Sequence, residues 1–170
     1  VETFFLQALR GAGPRGLSSM PLLKRIANGI HVRPLLNYCR NELLSYANEN
    51  ELSWQEDLSN ADTKFDRNYL RNKIMPAFEG RWPAYRETIS RLVNHQQDCK
   101  SLMNEIGLAD LEQASHENTL NLEMVKSLSV ARQKNIIFTW LQVLQLESPG
   151  SKHINQIISD LINSTSDNAP

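Results

Sequence analysis

Read for its spacing of apolar and polar positions, the chain opens on a helical pattern, "VETFFLQAL", with no N-cap residue ahead of it. "RGAGPRG" breaks that pattern, and Gly11, Gly13, Pro14 and Gly16 dictate a loop. In "GIHVRPLL", Ile30 and Val32 alternate with His31 and Arg33, and Pro34 biases Arg33 away from the helical region. A short extended segment is expected there. "NYCRNELLSYANEN" has helical period, with Leu43, Leu44 and Ala47 on its apolar side. Residues 53–63 are polar and irregular. "DTKFDRNYLRNKIMP", residues 62–76, predicts a helix from about residue 64 to 75, with Leu70 and Ile74 turned inward and Pro76 as its stop.

The second half is more regular. Tyr85, Ile89, Leu92, Gln96, Cys99, Met103 and Ile106 step by four and three, which predicts one long helix over about residues 84–106, roughly 35 Å of seam at about 1.5 Å per residue. "NTLNLE" reads as a short extended piece. "SVARQKNIIFTWLQVLQ" is apolar around much of its girth and should be the buried helix. "INQIISDLINS" sets Ile154, Ile157, Ile158, Leu161 and Ile162 on one stripe, and the tail "STSDNAP" is expected to be disordered. No internal repeat is visible. A boundary falls near residues 76–83, where Pro76, Gly80 and Pro83 interrupt two helices. The expected fold is mainly α. Residues 84–163 should form a compact helical domain without a sheet, with Trp140 and Leu141 buried against the long helix.

Composition changes this picture little. At 170 residues, with 41% hydrophobic and 22% charged residues, the chain can bury an ordinary core. No apolar run is long enough to span a bilayer, and the first residues lack the charged start and cleavage site of a signal peptide. Cys39 and Cys99 match no metal or redox spacing and read as two reduced thiols. Net charge is −1, so the whole chain is not a basic nucleic-acid binder. Residues 1–91 nevertheless hold 13 Lys+Arg against 10 Asp+Glu, and residues 92–170 hold 5 against 9. A polyanion should therefore be sought at the first half.

Several motifs fail on their context. "GAGPRG" spells the dinucleotide fingerprint, but a helix precedes it where a strand is required. What survives is either a phosphate-approaching loop or a plain helix end and turn. A calcium loop starting at Asp57 would need Gly and Glu where Asp62 and Asn68 stand. The plain reading of that stretch is a polar loop with Asx turns at Asn60 and Asp62 capping the next helix. His31, His95, His116 and His153 have no partner at metal-ligand or nucleophile spacing.

One pattern carries chemistry. On the helix of residues 64–75, Lys64, Arg67 and Arg71 share a face, with Asn68 beside them. Guanidinium forks on a rigid helix suit phosphate and sugar oxygens. Equally, Arg67 and Arg71 could pair with Glu56, Asp57, Asp62 or Asp66 and hold the loop shut.

The succession "ETFFLQALRGAGPRGLSSM", "RPLLNYCRNEL" and "LSWQEDLSNADTKFDRNYLRNKIMPAFEGRWP" resembles the tRNA(Ile)-lysidine synthetase family. The likeness is clear over the first half and looser through "ARQKNIIFTWL". It implies the C-terminal part of an α/β ATP-pyrophosphatase domain, residues 1–80, then a helical substrate-binding or linker domain, residues 81–170. It implies a cytoplasmic ligase that uses ATP and Mg2+ to adenylate the wobble cytidine of a CAU-anticodon tRNA(Ile), after which free lysine displaces AMP. Lysine and that tRNA are the implied partners, and a homodimer is an allowed assembly. By the resemblance, Glu2 and Thr3 lie beside the ATP, and Arg10 with the glycine loop lies at the active-site rim. Arg33, Asp57, Asn60, Arg67, Asn68 and Arg71 would lie where the tRNA and reacting base approach. No metal-ligating residue is assigned. The family's Ser-Gly-Gly-x-Asp-Ser loop does not occur in this sequence. The expectation is therefore of an internal piece, with the phosphate loop before Val1, a tRNA-binding domain beyond Pro170, and no ligase activity of its own. The competing classes are a non-catalytic helical RNA-binding or protein-docking module, and a purely structural helical domain.

Overall fold

A computed structural model describes residues 1–26, 29–146 and 150–162. The fold is mostly helical with two small hairpins, and it divides into two units, Val1–Gln97 and Asp98–Pro170.

In the first unit, α1 (Glu2–Leu9) buries Phe4 and ends at Arg10. Gly11 then takes φ +71°, a left-handed turn that glycine adopts without a Cβ penalty. Pro14 opens the short α2 (Pro14–Leu17), a position where its missing N–H costs nothing. "GAGPRG" is thus a helix end, a turn and a new helix start. β1 (Leu23–Ile26) pairs antiparallel with β2 (Gly29–Val32), Leu23 opposite Val32. β2 was expected and β1 was not. Every residue of both strands is exposed, so β1 has no in–out alternation to betray it. In α3 (Arg40–Glu49) Leu43, Leu44 and Ala47 are the half-buried positions, as the spacing requires. Its first turn is fastened by the Cys39 N–H donating to Glu42 Oε2 at 2.6 Å.

The run expected to stop at Pro76 does not stop there. After a 3-10 turn (Leu58–Ala61) and a short turn, α4 (Asp66–Tyr69), a π turn (Leu70–Ile74) and α5 (Met75–Arg81) run on without a break. A proline in an α-helix clashes with the carbonyl four residues back. The wide turn just before Pro76 shifts that carbonyl, and the Met75 N–H bonds Leu70 O instead. Leu70 is buried and Ile74 only half so.

α6 (Tyr85–Ala114) is two turns longer than expected. Its expected seam holds at Tyr85 but not at Leu92, Cys99 or Ile106, which are exposed. A stripe spaced at 3.5 residues drifts around a 3.6-residue helix, so one seam cannot face one way for so long.

In the second unit the buried face of α6 is Gly107, Asp110, Leu111 and Ala114. Residues 115–120 form a hairpin, β3 (Ser115–His116) with β4 (Thr119–Leu120), so this half is not free of sheet as expected. The turn needs a left-handed residue, and Glu117 supplies it at φ 52°. Asn121 then caps α7 (Leu122–Ser127), its Oδ1 accepting from Glu123 and Met124 N–H at 3.0 and 3.2 Å. α8 (Val130–Val143) is the buried helix, and Ile136 is fully buried. With Leu111, Ala114, Val125, Ile137 and, from α9 (Ser151–Ile157) and the π turn after it, Ile154 and Ile158, it makes one contiguous core. Gly107 lets α8 approach α6, since a Cβ there would collide with Thr139 Oγ1. Asn135 Nδ2 ties the two helices by donating to Met103 O at 2.6 Å. Trp140 and Leu141 are half-buried rather than sealed. They line an apolar cavity of about 380 Å³ with Leu120, Leu122 and Ile157. The Leu161 and Ile162 side chains and the tail from residue 164 lie outside the described residues.

Candidate functional site

Three stretches far apart in sequence meet in the first unit: the start of α1, the polar loop around residues 57–62, and the α4–π-turn–α5 run. Arg71 carries the junction. Its Nε donates to Glu2 Oε1 at 2.6 Å and its Nη2 to Glu2 Oε2 at 3.0 Å, a two-pronged pair spanning 69 residues of sequence. Hydrogen bonding to Glu2 holds the Arg71 guanidinium pKa above its ordinary value, against the burial that opposes it. Arg67 Nε stands 3.6 Å from Glu2 Oε2, and its Nη2 donates to Thr3 Oγ1 at 3.3 Å. One carboxylate thus orders two guanidinium groups. The acids expected as their partners, Glu56, Asp57, Asp62 and Asp66, are not the ones used. Sequence spacing favours near neighbours, whereas the fold brings in Glu2 from α1.

The asparagines do separate work. Asn68 is buried, and its Nδ2 donates to Ser59 O at 2.8 Å and Asp62 O at 2.9 Å. Asn72 Nδ2 donates to Asn60 O at 3.2 Å. Asp57 caps the 3-10 turn, its Oδ1 accepting from the Ser59 N–H at 2.9 Å, and hydrogen bonding with the Ser59 side chain and then its N–H lowers the Asp57 pKa. Asp62 Oδ1 likewise accepts from the Lys64 N–H at 3.0 Å. The Asx turns are therefore at Asp57 and Asp62, while Asn60 contributes its backbone. Arg33 is also a brace: Nη1 donates to Pro21 O at 2.9 Å, and its N–H closes the ribbon onto Leu22 O. Arg10 is exposed at the end of α1, with no ion pair among the described residues.

Of the expected site residues, then, the fold gathers Glu2, Thr3, Arg67 and Arg71 at one point. Asp57, Asn60 and Asn68 lie in the clamped loop behind it. Glu2, Thr3 and Arg67 line an open cleft of about 420 Å³, to which Arg40 and Arg86 also contribute. Neither arginine was singled out from the sequence. Each sits on a different helix with an unremarkable neighbourhood, and no spacing rule links them to Arg67. Among the described residues, no group of three His, Cys, Asp or Glu side chains is placed to hold a metal. No helix among them is long and apolar enough to cross a membrane.

An arginine-lined cleft at the start of a helix, beside a loop clamped by side chains, is an arrangement for holding a polyanion. In comparison with known proteins, residues 1–78 match the PP-loop domain family. Residues 120–170 match the TilS substrate binding domain. Over 99% of its length the chain is 37% identical to the tRNA(Ile)-lysidine synthase of Coxiella burnetii, covering 38% of that protein. It is 40% identical over 99% of its length to that of Nitrosomonas europaea, covering 37%. It is 42% identical over 84% of its length to that of Pseudomonas fluorescens, covering 34%. Over most or nearly all of its length the chain is thus similar to these tRNA(Ile)-lysidine synthases, and it spans under two-fifths of their length. The PP-loop match corrects one expectation. A chain lacking that domain's phosphate-loop portion does not stand against a match that takes in residues 1–78 from the first residue.

Proposed function

We propose that the protein is a cytoplasmic ligase that joins lysine to the wobble cytidine of a CAU-anticodon tRNA(Ile), driven by ATP. In this reading an oxygen of the base attacks the α-phosphate of ATP and diphosphate leaves. The lysine amine then attacks the activated ring carbon, AMP departs with that oxygen, and the amine gives up a proton. The observation that carries the reading is the Glu2–Arg71–Arg67 cluster at the mouth of the cleft.

Within it, Arg67 is the guanidinium for phosphate or ribose oxygens, because its side chain is 52% exposed against 33% for Arg71. Arg71 and Glu2 hold Arg67 in place, and Thr3 fixes its far nitrogen. Fixed donors of this kind favour charge that develops during transfer without a reorganisation cost. Arg33, Asp57, Asn60 and Asn68 act on the tRNA through the loop and ribbon they brace, and Arg10 lies at the rim. Among the described residues the one acid lining the cleft, Glu2, is already held by two guanidinium groups, so Mg2+ would arrive with the triphosphate rather than sit in a protein cage. Residues 1–80 would serve the nucleotide chemistry and residues 81–170 the tRNA side. The test is release of AMP by the intact protein from ATP and unmodified tRNA transcript. AMP release and lysidine that both require lysine are expected. Tight tRNA binding with no adenylation would favour the non-catalytic RNA-binding module instead.

A further inference from the structure

Beside the Glu2 cluster, the first unit carries an open aromatic slot. Phe5, Phe78, Trp82 and Tyr85 line a cleft of about 490 Å³ together with Arg81. Phe5 and Phe78 stack face to face, centroids 5.3 Å apart and planes 6° from parallel. Phe78 also lies 6.0 Å from Trp82 and 5.9 Å from Tyr85. Three features set this cleft apart from an ordinary apolar surface. Trp82, the largest ring, is 58% exposed, although an aromatic cluster usually hides such a ring. The Tyr85 hydroxyl is buried without a hydrogen-bond partner, a state that buried polar groups rarely keep. Arg81 is exposed, with no ion pair among the described residues.

A ligand matching the two exposed features needs a flat π face for Trp82 and a negative charge for Arg81. A nucleotide has both. We propose that this cleft takes one splayed-out base of single-stranded RNA, stacked on Trp82, with its phosphate on Arg81. The proposal rests on the RNA-substrate reading above and adds to it a second place of contact, distinct from the Glu2 cluster. Aromatic rings and a cation beside them are how proteins hold single-stranded bases with little regard to sequence. Charge favours RNA over a protein partner, since residues 1–91 carry the chain's excess of Lys and Arg.

The test is binding of a fluorescein-labelled seven-nucleotide single-stranded RNA to the intact protein, by anisotropy at several salt concentrations. Trp82→Ala should weaken binding about 5- to 150-fold, with the salt slope unchanged, and Trp82→Phe should restore most of it. Arg81→Ala should lower the salt slope by about one, because one phosphate contact is lost. Circular dichroism melts that match wild type establish that each variant folds. If RNA binds but Trp82→Ala leaves the affinity unchanged, the cleft is not a base site, while the RNA reading itself stands. If Trp82→Ala instead abolishes self-association in light scattering with RNA affinity intact, the cleft is a protein contact and the proposal is wrong. If wild-type protein binds neither this RNA nor tRNA, the RNA reading falls and takes the proposal with it.

Discussion

The two units hold themselves together by different physics. The second has a contiguous core in which Ile136 and Val125 are essentially inaccessible and helices meet across Gly107. The first buries Phe4, Leu70, Met75 and Tyr85, and relies on side chains fastened to backbone: Asn68 on two carbonyls, Arg33 on Pro21, Asp57 on Ser59. The residues assigned to chemistry lie in the first kind of structure. A region braced by polar bonds can present charge at its surface, whereas a region sealed by apolar packing contributes mainly rigidity. The two therefore should respond to mutation in separable ways.

The sharpest break is expected in the sealed unit. Ile136→Ala removes atoms from a fully buried site and should cost about 2–5 kcal/mol of unfolding free energy, read by urea denaturation. Turnover of the folded fraction should be unchanged. A loss of activity larger than the loss of folded protein would show that the units are not separable.

In the polar unit the order reverses. Arg71→Ala and Glu2→Gln should each lower kcat/KM for tRNA about ten- to hundredfold, the scale of a charge-assisted contact of about 1.5–3 kcal/mol. Arg71→Lys should not rescue fully, because one ammonium cannot reproduce the fork that grips both Glu2 oxygens. Should both variants unfold early while the folded remainder keeps normal kinetics, the cluster is only a brace. Asn68→Ala strands the Ser59 and Asp62 carbonyls and should cost about 1–3 kcal/mol. Its damage should appear in protease sensitivity of residues 57–62 before it appears in global melting.

The same contrast explains what the sequence revealed. α8 was legible because it is apolar around much of its girth, and α3 because Leu43, Leu44 and Ala47 mark its inner side. β1 was not, since both its faces are exposed. The Arg67 and Arg71 pattern was visible, and the family likeness pointed to Glu2 and Thr3. Their pairing across 69 residues was not, because helical spacing speaks only of neighbours on one helix. Pro76 misled for a local reason: a stop signal is overridden when a π turn gives the ring room.

The smallest expected effect tests whether the polar braces work by charge. The Asp57 carboxylate is fully exposed, and its pKa is lowered from 3.8 by the Ser59 hydrogen bonds. A depressed folded pKa means the charged form is favoured on folding. Its contribution is therefore fully present above the unfolded value, and it fades as pH falls through the lower, folded one. Asp57→Asn keeps the shape and an acceptor oxygen but removes the charge. Melting temperatures of the two proteins, compared from neutral pH downward, should differ slightly at pH 7. They should converge only once the pH drops below the ordinary aspartate range. The Cys39 N–H held by Glu42 should behave alike, since that hydrogen bond lowers the Glu42 pKa in the same way. A difference for Asp57→Asn that persists undiminished at pH 2 would mean the brace works by shape alone. In that case the loop behind Arg67 owes its form to the Asn68 amide rather than to any charge.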